Sequence, residues 1–262
     1  MMRPAVYDFS GRTAIVTGGA GGFGRAIAAR LHASGAAVAL WDLDGSAAAA
    51  AAAALATPGA APAMGQAVDT TDEAAVNAAA QAVRARFGRV DMLVANAGIL
   101  GPVADAWEHR TEDFRRVLDI NLTGTFICTR VIVPLLLANA PDPQTGRRGG
   151  IVIVSSIQAK EGMPRAAAYA ASKAGLIALT KTMGKELAES GIPVNAVTPS
   201  IVETAMTKGI DDARRAEILA RIPMKRFGTT DEIAAQVAWL LSDDCSFATG
   251  AVFDLSGGRA TY

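Results

Sequence analysis

The sequence predicts a doubly wound α/β fold, with one parallel sheet of about seven strands and helices on both faces. Short β-branched runs recur at Thr13–Thr17, Ala37–Trp41, Met92–Ala95, Ile151–Ser155, Pro193–Thr198 and Ala251–Leu255, and residues 64–69 add one more short strand. Longer segments with apolar residues at three- and four-residue intervals separate them, among them Asp113–Leu137 and Tyr169–Glu189. A parallel connection has to cross the face of the sheet, so this alternation implies a parallel sheet rather than hairpins. Pro141–Gly150 is the stretch richest in turn residues, and it is too short to separate domains. The chain is therefore expected to be one domain over residues 1–262.

The first strand runs into Thr17-Gly18-Gly-Ala-Gly-Gly22-Phe23-Gly24 and then into a helical Arg25–Ala33. The second strand closes at Asp42. Eight alanines, Ala47–Ala54, have the strongest helix propensity and lie before Thr57-Pro58-Gly59, which reads as a surface helix and its stop. Asp113–Leu137 and Tyr169–Glu189 are long helices. Thr204–Pro223 is helical, with Gly209 and several charges; it is either a mobile cover over a site or an ordinary pair of surface helices.

Composition narrows the class. There are 25 basic and 25 acidic residues and no long run of either sign, which points away from a nucleic-acid surface or a polybasic membrane patch. Cys128 and Cys245 lie in apolar surroundings far apart in sequence and read as buried free thiols of a reducing cytoplasm. His32 and His109 lack metal-ligand spacing, so no metal is expected. Met1–Thr17 lacks the apolar core and cleavage site of a signal peptide, and no run of about 18 uninterrupted apolar residues occurs.

Glycines between a first strand and a first helix let a pyrophosphate approach backbone N–H groups at the helix N-terminus. The spacing here is G-x-x-x-G-x-G, through Gly18, Gly22 and Gly24. The loop and its position make a Rossmann-type dinucleotide site. Asp42, eighteen residues after Gly24, can accept hydrogen bonds from the adenosine ribose hydroxyls and would repel a 2′-phosphate. No Arg or Lys lies within the glycine loop or beside Asp42, so NAD is expected rather than NADP. Asp69, with Thr70 next to it, suits the exocyclic amine of adenine, although Asp69-Thr-Thr-Asp72 could also simply cap a helix.

Tyr169 and Lys173 are four residues apart on a helix, so phenol and ammonium share a face. A phenol in water has a pKa of about 10, and a fixed cation nearby is expected to lower it. Ser156 lies thirteen residues upstream, at the end of Gly149-Gly-Ile-Val-Ile-Val-Ser-Ser156, where its hydroxyl can hold a substrate oxygen. This is an acid/base device for making or breaking a C–OH bond by hydride transfer.

With the glycine loop, Asn96-Ala97-Gly98, Asn121, Ser156 and Tyr169-x-x-x-Lys173 in this order, the whole chain resembles the single-domain branch of the short-chain dehydrogenase/reductase family. The resemblance implies Tyr169 as general acid/base, Lys173 lowering its pKa and holding the nicotinamide ribose, and Ser156 rather than Ser155 as the catalytic serine. It also implies that Asn121 holds a water linking Lys173 to solvent, and that Asn96, Ala97 and Gly98 stabilise the sheet beside the adenine-side ribose. Pro199-Ser-Ile-Val202-Glu-Thr204 matches the segment that clasps the carboxamide, through the Val202 backbone and the Thr204 hydroxyl. Two departures stand out. Ser200 replaces the usual Gly, and if that glycine serves a positive φ the loop must differ locally. Phe23 replaces an aliphatic residue, with little effect expected because its backbone N–H is the group that matters.

The segment between Ser156 and Tyr169 should line the substrate pocket, and it carries Gln158, Lys160, Glu161 and Arg165. Arg165 is suited to a two-point grip on a carboxylate, while Lys160 and Arg165 could equally be solvated loop charges. The ending Ser256-Gly-Gly-Arg259-Ala-Thr-Tyr262 could reach a neighbouring subunit's site in the family's tetramers. Together the Lys160 loop and this ending are similar to the sugar-acid branch, which oxidises 2-keto-3-deoxy sugar acids such as 2-keto-3-deoxy-L-fuconate with NAD. Another NAD-linked polyol or cyclic-alcohol dehydrogenase, a 3-oxoacyl-carrier reductase, and a non-catalytic dinucleotide-sensing protein are the alternatives. The resemblance implies a homotetramer.

Overall fold

Residues 5–203, 209 and 211–260 are described by the structure, a computed structural model. β1 (Thr13–Thr17), β2 (Ala37–Asp42), β3 (Ala63–Ala67), β4 (Met92–Ala95), β5 (Gly150–Val154), β6 (Val194–Pro199) and β7 (Val252–Leu255) form one sheet in the order β3-β2-β1-β4-β5-β6-β7. Every pairing is parallel, and each expected strand is present, with ends displaced by no more than two residues.

Alternation of side chains along a strand builds two cores, one on each face. Ala14, Val16, Val38, Leu40, Met92, Val94, Val152 and Val154 pack with α1 (Gly22–Ala33), α2 (Gly45–Ala53) and α9 (Thr230–Leu241). The residues between them, Ile15, Ala39, Trp41, Leu93, Ile151 and Ile153, pack with α3 (Glu73–Phe87), α5 (Gly124–Leu137) and α7 (Ala167–Glu186). Central strands buried on both faces read as continuous apolar runs, which is why they were visible in the sequence.

The alanine run is more than a surface helix. Ala48, Ala51 and Ala52 of α2 are buried, and α2 lies so close to β3 that a Cβ at Gly65 would sit 2.3 Å from the Ala48 carbonyl carbon. Small side chains on both elements permit that approach. Asp44 caps α2 by accepting from the Ala47 N–H at 3.0 Å.

The expected helix Asp113–Leu137 divides into α4 (Thr111–Leu118), a π-helical turn at Asp119–Thr123, and α5. A π turn widens the helix by one residue and re-aims the turns beyond it, and such turns collect at functional sites. Asn121 sits in this turn and is fully buried. The continuous segment Thr111–Leu137 has the length and apolar composition of a membrane span. Here Ile127, Cys128, Ile132 and Leu136 turn that apolar face against the sheet.

Strands β1 and β4 are neighbours although their connections leave to opposite sides of the sheet. Such a switch point leaves a crevice at the carboxyl ends of the strands, where open α/β sheets receive ligands.

Candidate active site

A cleft of about 1910 Å³ occupies that crevice. Its first wall is the turn between β1 and α1. Gly18 has φ +61°, and a Cβ there would meet the Asn96 side chain at 2.9 Å. Gly21 precedes α1, whose first turn has neither a side-chain cap nor an acidic residue. The orphan N–H groups of this twelve-residue helix therefore face the cleft beside Gly22 and Phe23. Gly24, expected to touch the cofactor, is instead buried behind the loop: a Cβ there would lie 2.1 Å from the Gly18 carbonyl oxygen. It permits close packing of helix on turn.

Asp42 lines the cleft at the end of β2. Its carboxylate accepts from the N–H groups of Ala20 at 3.1 Å and Asp44 at 3.3 Å, which ties it to the glycine turn. Its neighbours on the cleft wall, Trp41 and Leu43, are uncharged. Asp69 and Thr70 line the same end. Asp72 is the residue that caps α3, accepting from Ala74 and Ala75, whereas Asp69 accepts from the N–H and hydroxyl of Thr71. Asn96, Ala97 and Gly98 continue the wall; Asn96 Nδ2 donates to the carbonyls of Thr17 at 3.0 Å and Gly18 at 3.2 Å.

At the other end, β5 delivers Ser156 and α7 delivers Tyr169 and Lys173 to the cleft. Lys173 Nζ lies 5.7 Å from the Tyr169 ring centroid and donates to the Val154 carbonyl at 2.8 Å. Ser155 Oγ donates to the Lys173 carbonyl at 2.8 Å, so the first serine ties strand to helix and Ser156 is the one at the phenol. Asn121 Oδ1 accepts from the Ile99 N–H at 2.8 Å, and its Nδ2 donates to Ile99 O at 2.9 Å and Ser172 Oγ at 3.0 Å. Both amide hydrogens are thus committed to protein acceptors, so any water that Asn121 holds must donate to one of its oxygens.

The ionisation pattern corrects one expectation. Burial raises the Tyr169 pKa above that of a free phenol, with the Ser156 hydroxyl acting in the opposite sense. Burial also pushes Lys173 down to about 8. The helical spacing correctly places both groups on one face but carries no information about depth. Lys173 is buried, its ammonium is directed to a backbone carbonyl, and its own charge is disfavoured there.

The cleft wall beyond Ser156 is formed by α6 (Gln158–Glu161), the following turn, and the chain after β7. Gln158, Glu161, Arg165 and Arg259 all border the cleft. Arg165 is 62% exposed and stands 3.7 Å from Asp105. Lys160 does not border the cleft; it faces Asp254 at 3.4 Å. Arg259 meets Glu161 of the same chain through Nε at 2.9 Å and Nη2 at 2.5 Å. Ser200 borders the cleft without a left-handed backbone, and its N–H donates to Leu255 O at 3.1 Å, so the departure from glycine needs no local distortion. Val202 borders the cleft and bridges to Gly228, whereas Thr204 and Tyr262 lie outside the described residues. Within Thr204–Pro223, α8 (Asp212–Ala220) presents Arg214, Glu217 and Ile218 to the cleft, the placement of a cover.

A family model described as enoyl-(acyl carrier protein) reductase matches residues 18–260. The chain is 45% identical over 254 residues to the 2-dehydro-3-deoxy-L-rhamnonate dehydrogenase (NAD(+)) of Sphingomonas sp. (strain SKA58), covering 97% of each. The chain belongs to the short-chain dehydrogenase/reductase family. It is also 36% identical over 251 residues to the 3-oxoacyl-[acyl-carrier-protein] reductase of Escherichia coli (strain K12), covering 96% of this chain and 98% of that one. Among solved structures, NAD+-bound xylitol dehydrogenase superposes with a TM-score of 0.87 at 34% identity, covering 95% of this chain and 99% of that one.

Three further residues of this short-chain dehydrogenase/reductase support the site from outside the motif positions. Thr17 Oγ1 accepts from the N–H groups of Asn96 at 2.9 Å and Ala97 at 3.0 Å, fixing the second wall of the cofactor end. Ser172 receives Asn121 and donates to Tyr169 O at 2.7 Å. Asp254 accepts from Lys160 at 3.4 Å. Thr17 and Ser172 are adjacent to motif residues, but only the fold reveals their partners.

Proposed function

We propose that this protein is an NAD-dependent dehydrogenase, acting as one catalytic domain, that oxidises a secondary hydroxyl of a 2-keto-3-deoxy sugar acid such as 2-keto-3-deoxy-L-fuconate or 2-keto-3-deoxy-L-rhamnonate. The observation that carries the reaction class is the meeting of Ser156, Tyr169 and Lys173 at one end of a cleft whose other end presents a helix N-terminus and Asp42. The substrate class is supported by the 45% identical relative, whose name specifies such an acid, and by the charged residues of the α6 wall.

In oxidation, Ser156 Oγ donates a hydrogen bond to the carbinol oxygen and Tyr169, as the phenolate, takes the carbinol proton. The C–H electron pair leaves the same carbon and a C=O bond forms. Reduction runs the same steps in reverse. NAD supplies the hydride acceptor and, when oxidised, a positive charge at this end of the cleft. Asp42 selects the unphosphorylated ribose, and Asp69 and Thr70 border the adenine end. Gly18, Gly22 and Phe23 would hold the pyrophosphate, Asn96, Ala97 and Gly98 the loop beside it, and the Val202 backbone would hold the carboxamide. Lys173 holds the nicotinamide ribose, Asn121 positions Lys173's surroundings through Ser172 and Ile99, and Gln158 contacts the substrate. Exposed Phe126 and Leu137 on α5 are the kind of apolar surface a second copy covers, in keeping with a homotetramer. Buried free Cys128 and Cys245 suit a reducing cytoplasm.

The test is formation of reduced cofactor over a panel of 2-keto-3-deoxy sugar acids, xylitol, cyclic alcohols and 3-hydroxyacyl thioesters, each with NAD and NADP. The highest kcat/KM is expected on a sugar acid with NAD. Preference for an acyl thioester with NADP would instead make it an acyl-carrier reductase. Tight NAD binding without turnover of any substrate would make it a sensor.

A further inference from the structure

The Arg259–Glu161 pair borders the cleft next to the Ser156 turn, and its geometry is incomplete in an informative way. Glu161 occupies one edge of the guanidinium, the edge formed by Nε and Nη2. Nη1 has no hydrogen-bond partner among the described residues. A guanidinium has two edges that can each take a carboxylate in two-point fashion, and the Nη1/Nη2 edge is the one left over. The arginine side chain is 14% exposed and its partner 27%, so the pair is set into the wall rather than waving from the surface.

The main chain holds it there. Gly257 and Gly258, at φ +66° and +87°, fold the segment back against Ile222 and Pro223 after β7. Ser256 Oγ accepts from the Ala260 N–H at 3.0 Å and itself donates to Asp254, the carboxylate that faces Lys160. The other cations of this wall are placed for different work. Lys160 is turned to Asp254, and Arg165 is mostly solvated beside Asp105. The dinucleotide's pyrophosphate belongs at α1, across the sheet beside β1, whereas Arg259 follows β7 at the far edge. An anion on Arg259 therefore belongs to the substrate.

We infer that Arg259, aligned by Glu161 of the same chain, grips the carboxylate of the substrate and sets the preference for acids over neutral alcohols. Glu161 is a positioning residue: it fixes the guanidinium plane and leaves one edge for the ligand. The inference rests on the sugar-acid reading above and assigns the recognition to one side chain.

The experiment compares a 2-keto-3-deoxy sugar acid with its primary amide, as the ratio of kcat/KM values, in the wild-type protein, Arg259→Met, Arg259→Lys and Glu161→Gln. Loss of a charge-assisted two-point contact should lower the acid-to-amide ratio by about 10- to 100-fold in Arg259→Met, mainly through KM for the acid. Arg259→Lys should recover part of it, because an ammonium keeps the charge without the fork. Glu161→Gln should lower the ratio less than Arg259→Met does. The Kd for NAD should be unchanged in all three, which reports an intact fold. A wild-type acid preference that survives in Arg259→Met, with NAD binding intact, overturns the assignment and leaves the sugar-acid reading standing. A wild-type protein that turns over polyols but no sugar acid overturns both.

Discussion

Lys173 carries an electrostatic cost in the site. Its pKa is pushed from 10.5 to about 8 by burial, so holding it protonated at neutral pH costs on the order of 3 kcal/mol. The folded-state value lies below the unfolded one, so the unfolded chain binds more protons between them and stability rises with pH across that interval. Lys173→Met removes the charge but strands the Val154 carbonyl, which costs about 1 kcal/mol. Urea unfolding should find the variant more stable by about 1–2 kcal/mol below pH 8, with its advantage closing and then reversing as pH rises towards 10.5. An advantage that widens over this interval would contradict the assignment of cost. Sequence spacing placed Tyr169 and Lys173 on one face but could not say how deep that face lies, and depth decides the sign of both shifts.

At the scale of elements, the turn from β1 into α1 joins fold and site. Gly18 supplies the left-handed φ, and Gly24 lets the helix close on the turn. Gly24→Ala would set a Cβ 2.1 Å from the Gly18 carbonyl oxygen, which already accepts from the Gly21 N–H and Asn96 Nδ2. The expected outcome is a loss of roughly 1–3 kcal/mol in thermal or urea unfolding together with weaker NAD binding by titration. Unchanged affinity would mean that the turn tolerates displacement. The seven strands were legible because burial on both faces demands β-branched runs, as in Ile151–Val154. The π turn at Asp119–Thr123 was not, since α5 beyond it is apolar on most faces and offers no clear phase against which one inserted residue would register. Its effect is visible only in where Asn121 lands, inside the protein between Ile99 and Ser172.

For the whole molecule, the order of strands assigns each end of the cleft a task. Asp42 and the α1 N-terminus lie on the β1–β2 side, and the charged wall of Glu161 and Arg259 lies towards β7. The Arg259 ion pair escaped sequence reading because its partner is 98 residues away, and a two-glycine turn brings them together. Apolar Phe126 and Leu137 remain 48% and 42% exposed on α5. In solution the particle should weigh four times the 26.9 kDa chain by light scattering, and a 26.9 kDa particle would contradict the assembly. The central claim is that the Tyr169 phenolate oxygen is the acceptor for the proton of a carbinol hydroxyl in this cleft. Steady-state turnover of Tyr169→Phe on the best sugar-acid substrate, alongside its NAD affinity, tests it most directly. The account predicts kcat lowered by roughly 10²–10⁴-fold with NAD affinity nearly unchanged. Wild-type turnover in the variant would contradict it.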